Sequence, residues 1–198
     1  MANRFIADLH FGHKNVLAFD ARPFDTIEEH DATLIKKWNA ATEMADDVWI
    51  LGDFSWQNAT KTLEIFRQLN GNKHLIRGNH DSKLLRNKDI QKLFVEILDY
   101  KELEIGNDKC VVLSHYPIPC YKNHYYGWLH FYGHVHTSFE ENMMVRCRYE
   151  MEELYNTPCE MYNVGAMTPW MDYRPKTVDE IVTSWHEFHK DFNTEISK

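Results

Sequence analysis

The apolar residues of this chain fall into short runs that end on Gly, Asp, Asn or His. Between those runs lie longer stretches with apolar positions three or four apart. The first pattern reads as buried strands and the second as amphipathic helices. Phe5-Ile6-Ala7 is a strand that ends at Asp8. Thr26-Ile-Glu-Glu29 has the form of a capping box, and Ile27, Leu34, Trp38 and Ala41 follow at helical spacing. These signals predict a helix from about Ile27 to Glu43. Val48 to Leu51 is the next strand and runs into Gly52-Asp53. Thr60 to Leu69 reads as a helix stopped near Gly71, and His74 to Ile76 as a strand leading into Gly78-Asn79-His80.

The second half is more varied. Lys83 to Phe94 reads as one helix, and Phe94 to Leu98 is open between a helix end and a strand. Lys101 to Ile105 and Lys109 to Leu113 flank Gly106-Asn107-Asp108 as the arms of a hairpin. Leu129 to Tyr132 and Met161 to Val164 are strand-like, and Thr177-Val-Asp-Glu180 repeats the capping-box pattern before a helix from Val178 to about Phe188. Residues 138–160 are acidic, Met-rich and aperiodic, and predict no element. Strands that alternate first with helices and later with hairpins imply a layered, mixed α/β fold. With no repeat, low-complexity segment or Pro/Gly/Ser linker, residues 1–198 read as one domain.

Composition sets bounds. The chain is 43% apolar and 26% charged, which is ordinary for a globular protein. A net charge of −8 without a Lys/Arg-rich block disfavours a broad duplex-binding surface, which needs many phosphate contacts. Binding of a nucleotide or a strand end stays open. Cys110, Cys120, Cys147 and Cys159 have no C-x-x-C spacing and read as reduced and mostly buried. No signal-peptide core and no run near the ~18–20 apolar residues of a membrane span is present, so a cytoplasmic protein with no membrane partner is expected.

Histidine changes the picture. There are twelve, and several sit beside Gly, Asp or Asn. Asp8-Leu9-His10, Gly52-Asp53, Gly78-Asn79-His80-Asp81, Ser114-His115 and Gly133-His134-Val135-His136 each follow, or lie within, a strand-like run. Side chains projected from several strand ends can converge on one spot. Hard oxygen donors mixed with imidazoles suit a pair of divalent transition metals, and such a pair points to hydrolysis.

In their order and spacing these five fragments resemble the calcineurin-like metallophosphoesterase superfamily, over the chain from its first strand to about Gly165. The resemblance implies a four-layer α/β/β/α sandwich of two mixed sheets with two metals between the strand ends. By matching position, Asp8, His10 and His136 would hold the first metal. Asn79, His115 and His134 would hold the second, and Asp53 would bridge both. A shared carboxylate offsets the repulsion of two cations roughly 3.5–4 Å apart. The resemblance further implies an enzyme in which a metal-bridging hydroxide attacks phosphorus while His80 contacts the phosphate as catalytic histidine. Imidazole and carboxylate donors favour Mn, Fe, Zn or Ni over Mg. Many members carry an acidic residue three positions after Gly-Asp that orients the catalytic histidine. Here that position is Trp56, with Asp81 as the alternative carboxylate.

Substrate contacts have weaker signals. His13 lies close enough after His10 to reach a phosphate or a supporting carboxylate, or to act as a plain cap. Arg22 precedes Pro23-Phe24 in a loop and either reaches a phosphate or is solvated. Asn163, before Gly165, matches the family's last strand end or is a turn residue. From Tyr116 to Tyr132 aromatics are dense, and Phe131 and Tyr132 read as core. Tyr121, Tyr125, Tyr126 and Trp128, in a Pro- and Gly-flanked loop, read as a wall on which a nucleobase stacks, with Lys122 and His124 near the phosphate. Core filling is the alternative. His30, His74, His130, His186 and His189 are assigned to surface or core.

The function expected is a metal-dependent phosphoesterase acting on a phosphodiester such as a nucleotide or nucleic-acid end. A phosphomonoesterase, for small molecules or proteins, is the alternative. A non-catalytic metal-binding module is opposed by every expected ligand position being filled, and a binder without chemistry by the missing basic stripe.

Overall fold

A computed structural model describes residues 1–106 and 108–190. Among these, eight strands form two four-stranded sheets. In the first, β1 (Asn3–Ile6), β2 (Asp47–Leu51), β3 (Asn72–Ile76) and β4 (Ile97–Leu98) are parallel and lie in chain order. Parallel neighbours need crossovers. These are α1 (Val16–Phe19) with α2 (Ile27–Ala41), then α3 (Ala59–Gln68), then the one-turn pieces α4 (Asp81–Leu84) and α5 (Lys88–Gln91). In the second sheet β5 (Tyr100–Gly106) is antiparallel to β6 (Lys109–Ser114), while β7 (Leu129–Tyr132) and β8 (Glu160–Asn163) continue parallel to β6. Helix α6 (Phe139–Glu153) joins β7 to β8, and α7 (Val178–His189) follows.

Two-residue alternation assigns the faces of the second sheet. Val111, Leu113, Phe131 and Tyr162 share one core with Phe5, Ile50 and Leu75 of the first sheet, and with Leu34, Trp38, Ile65 and Phe66 of α2 and α3. Val112, Tyr132 and Met161 point the other way, into a smaller core with Tyr121, Cys159 and Met144 of α6. The order is helix, sheet, sheet, helix, which is the expected α/β/β/α sandwich, except that the first sheet is wholly parallel and only the second is mixed. Phe5 and Phe131 meet edge-on across the sheets at 4.9 Å, and truncating either to Ala costs about 3–5 kcal/mol.

A short seam joins the sheets where the site will form. The Ala7 amide donates to Val164 O and the Ala166 amide to Ala7 O, both at 2.8 Å. The carboxyl ends of β1, β2, β3, β6 and β7 therefore gather along one edge, where open α/β sheets place their ligands.

One expected element needs correction, and two stretches left open are now assigned. Residues 83–94 are not one helix, because Asn87 caps a new start, its Oδ1 accepting from the Asp89 and Ile90 amides at 2.9 and 3.2 Å. Residues 97–98 are strand, which settles the open assignment there. Residues 139–153 of the unplaced acidic segment are helix α6, capped by Ser138. Its inward residues are Glu141, Val145 and Arg148. They keep helical spacing, but two of the three are charged, so no hydrophobic period is visible. Arg148 lies over Tyr162 and Trp185 at 4.6 and 4.2 Å and pairs with Glu160, which makes its burial tolerable.

Smaller differences are local. Helix α2 stops at Ala41 because Thr42 is extended, and Glu29 closes on the Asp25 amide rather than on Thr26. The Thr177–Glu180 box is complete. The hairpin arms form as β5 and β6, and Asn107 of their turn lies outside the described residues. No helix among the described residues is long and apolar enough to cross a membrane. The four cysteines are free, and only Cys159 is fully buried.

Candidate metal centre

Asp8, His10, Asp53, Asn79, His115, His134 and His136 form a closed ring of near contacts, through side chains everywhere except at the His134 backbone amide that meets Asp8. His136 Nε2 faces His10 Nε2 at 3.3 Å, and His10 Nε2 lies 3.8 Å from Asp53 Oδ2. Asp53 Oδ2 is 3.9 Å from His115 Nε2, which is 2.8 Å from Asn79 Oδ1. Asn79 Oδ1 is 3.1 Å from His134 Nδ1, and the His134 amide donates to Asp8 Oδ2 at 3.0 Å. The ring closes with Asp8 Oδ1 at 3.9 Å from His136 Nε2. Two subsets, Asp8-His10-His136 and Asp8-Asp53-His115, bring their donor atoms within 4.8 Å of one another. Asp53 Oδ2 sits almost equally far from a histidine of each half.

Backbone turns aim these groups back over the sheet edge. Asp8, His10, Asp53, His134 and His136 all have positive φ, between 51° and 70°. For residues with a Cβ this left-handed conformation costs about 1–2 kcal/mol each. Amide hydrogen bonds hold it, among them Asp8 N to Gly52 O at 3.1 Å and His10 N to Asp53 O at 2.9 Å. Two glycines are required by close approach. A Cβ on Gly133 would lie 2.5 Å from Asp8 Oδ2, and one on Gly78 would collide with Asp53 Oδ1.

The electrostatics suit a cation. His115 Nδ1–H donates to Leu51 O at 2.8 Å, so in the neutral ring Nε2 turns its lone pair toward the oxygen of Asn79. Burial lowers the pKa of His10, His115 and His134, which favours the neutral, ligating form. Two acceptors facing each other across a buried gap repel until a positive ion lies between them. Asp8 Oδ1 is fully buried and has no hydrogen-bond partner. Burial raises Asp8 to about 6 and raises Asp53 as well, the response of carboxylates short of positive charge. Neutral imidazoles, an orphaned carboxylate oxygen and opposed lone pairs fit a divalent metal better than any protein partner.

Supporting groups fix the donors from behind. His136 Nδ1 meets Asp20 Oδ2 at 2.8 Å, which leaves Nε2 for the ring. Burial opposes protonation of His136, but the hydrogen bond to Asp20 and the charge of Asp8 outweigh it and raise its pKa. Asn163 is buried and donates to His136 O and to Glu141, while its own oxygen takes the Gly165 amide, so it supports the site. Asp20 and Glu141 carry no readable signal in the sequence. Asp20 caps the end of the one-turn helix α1, and Glu141 lies on the helix with no apolar period.

Arg22 reaches no phosphate. It is buried, and its five N–H groups meet Asp8 O, Leu9 O, His30 Nε2 and Asp20 Oδ2, the last twice. It braces the turn that carries Asp8. Asp81 likewise does not orient His80. It accepts from the amides of Asp53, Phe54 and Gly78 at 2.8–3.0 Å and clamps two of the turns together. The His80 amide donates to Asp53 Oδ1, and its exposed ring packs against Trp56 at 4.4 Å. The Trp56 indole also lies 4.7 Å from His10 and stacks on His13 at 4.1 Å with an interplanar angle of 2°. His13 is thus at the rim, held by stacking and by a 3.3 Å contact to His10.

The aromatic loop lies elsewhere. Trp128 Nε1 donates to Asp108 O, and Tyr121 OH donates to Trp128 O and accepts the Glu160 amide. Asp108 precedes β6, whereas His115 follows it, so about 20 Å of strand separates them. Tyr125 and Trp128 therefore sit at the far end of the sheet, and the nucleobase wall expected there is not beside the donors. His124 is buried against Pro158 O, and Lys122 pairs with Glu102. Tyr116 alone of that segment stands at the site, half-exposed and 4.5 Å from the His134 ring. His30, His74 and His130 are buried in structural hydrogen bonds, as expected.

Comparison with known proteins agrees with this geometry. Residues 1–179 match the calcineurin-like phosphoesterase superfamily domain. An uncharacterized protein of Methanocaldococcus jannaschii is 36% identical over 179 residues, which cover 89% of this chain and 87% of that one. The gene 66 protein of Mycobacterium phage L5 is 34% identical over 129 residues, 57% of this chain and 62% of the phage protein. A solved structure of a protein of unknown function from Aquifex aeolicus matches with a TM-score of 0.67 at 28% identity, covering 91% of this chain and 97% of the other. The chain belongs to the calcineurin-like phosphoesterase superfamily.

Proposed function

We propose that this protein is a phosphodiesterase that uses two divalent metals, drawn from Mn, Fe, Zn and Ni, on a nucleotide or nucleic-acid end. The observation that carries the reading is the closed ring of seven donors with Asp53 Oδ2 between its two halves. Asp8, His10 and His136 would hold one ion, Asn79, His115 and His134 the other, with Asp53 shared. Ions held there would supply Lewis acidity and a nucleophilic water at neutral pH.

The chain's own residues do the rest. Leu51 O and Asp20 fix the His115 and His136 rings so that each presents Nε2. Asp81 and Arg22 lock the turns carrying Asp53 and Asp8, so the donors are set before substrate arrives. His80 is exposed beside the ring, where it can donate to a phosphoryl oxygen or protonate the leaving oxygen. Packing against Trp56 limits its swing, the task an acidic residue performs in other members. An exposed histidine at the rim also speaks against a metal-binding module without chemistry.

The test is hydrolysis of bis-p-nitrophenyl phosphate by metal-free protein reloaded with each of the four metals. Turnover with at least one, abolished by chelation, is expected. No turnover with any of them contradicts the reading.

A further inference from the structure

Two openings flank the ring of donors, and they differ in charge. On the side of His134 and His136, a small hollow of about 240 Å³ is lined by Asp20 and Glu140. On the side of Asn79 and His80, a cleft of about 720 Å³ runs between Trp56 and the segment carrying Lys83 and Arg86. No carboxylate lines this cleft, in a chain with 30 acidic residues and a net charge of −8. Lys83 and Arg86 are exposed and have no carboxylate partner among the described residues. Other exposed lysines, such as Lys36 and Lys61, also lack a carboxylate partner among the described residues, but Lys83 and Arg86 are the ones that line this cleft beside the ring. Two unpaired cations in a polar cleft that shares Asn79 and His80 with the donor ring make a subsite for negative charge.

We infer that this cleft receives a second phosphate group of the substrate, one linkage from the scissile ester, and that Lys83 and Arg86 select for it. The inference rests on the phosphoesterase reading and narrows it to substrates with consecutive phosphates. Those are a nucleotide chain or a nucleoside polyphosphate. Lys83 supplies a mobile ammonium and Arg86 a planar fork, the two forms of cation that bind phosphate oxygens. The hollow opposite carries Glu140 and no lysine or arginine, so the second phosphate goes to the cleft and the substrate lies across the centre in one direction.

Binding decides the matter. The metal-loaded protein is titrated calorimetrically with a hydrolysis-resistant phosphorothioate thymidine dinucleotide, with and without a 5′-phosphate. Thymidine diphosphate against thymidine monophosphate forms the second arm. The additional phosphate is expected to tighten binding about five- to tenfold. That advantage should vanish in Lys83→Gln/Arg86→Gln and persist in Lys83→Arg/Arg86→Lys. An advantage confined to the dinucleotide pair assigns the cleft to nucleic-acid chains, and one confined to the thymidine pair assigns it to nucleoside polyphosphates. Equal affinities in both arms, or an advantage that survives in the Gln variant, would overturn the inference. Bis-p-nitrophenyl phosphate turnover is measured alongside and should be the same in all three proteins. Its absence from the native protein removes the phosphoesterase reading, while the binding comparison still decides the cleft.

Discussion

The two ends of the second sheet are both rich in rings, yet they do different things. At the carboxyl end, His115, His134 and His136 meet Asp8, whose Oδ1 has no hydrogen-bond partner, and Asp8, His134 and His136 sit at positive φ. At the amino end, Tyr121, His124 and Trp128 satisfy their polar atoms on Trp128 O, Glu160 N, Pro158 O and Asp108 O. Asp108 and Asn123 at the amino end also have positive φ, so what separates the two ends is the unpaired Asp8 oxygen: one end is left incomplete, and the other is closed. Polar groups in a folded core are normally paired, and an unpaired carboxylate oxygen set among imidazole and carboxylate side chains is suited to a cation.

Substitutions can break or sharpen this contrast. The largest effects belong to the donor end. Asp53→Asn should weaken metal binding more than about a hundredfold and abolish turnover, as metal content and bis-p-nitrophenyl phosphate hydrolysis will report. His80→Ala should retain the metals while turnover falls about 10²–10⁴-fold. A variant that loses metal along with activity would make His80 a ligand instead.

Behind the donors, Glu141 bonds to Tyr132 and Asn163, and burial raises its pKa from 4.5 to about 7. A carboxyl raised in the folded state stabilises fully below its unfolded pKa, and that stability is lost as pH rises through about 7. The native protein should therefore lose about 3 kcal/mol between pH 4.5 and 7 from this group. Glu141→Gln should flatten the profile, as chemical denaturation at several pH values will test. An unchanged slope would assign the loss to other groups. Next in size, Asp20→Asn should cost about 10–100-fold in metal affinity by freeing the His136 ring, and should lower the unfolding temperature because buried Arg22 loses its carboxylate partner. Smallest of all, Tyr125→Ala with Trp128→Ala should leave KM for nucleotide substrates within about twofold. A larger rise would bring the far end back into the site.

How much of this was readable depends on where the information lies. Donor types and their strand-end positions were legible because each follows a β-run on Gly, Asp or Asn, the residues that tolerate tight turns. The sandwich followed from the family resemblance, whereas the face alternation of Val111 to Leu113 was not legible because all three residues are apolar. Helix α6 was hidden because Glu141 and Arg148 occupy its inward face. Asp20, Arg22 and Asp81 act on backbone atoms and ring nitrogens far along the chain, and such pairings leave no local pattern. Aromatic density misplaced the substrate wall. The loop lies between two ligands in sequence, but β7 must start at the far end of the sheet to arrive at His134.

The account stands on the ring holding two ions that share Asp53. Anomalous scattering from crystals soaked in manganese measures this directly. It predicts two peaks roughly 3.5–4 Å apart, with Asp53 Oδ2 between them. A single peak away from Asp53, or none, would contradict it.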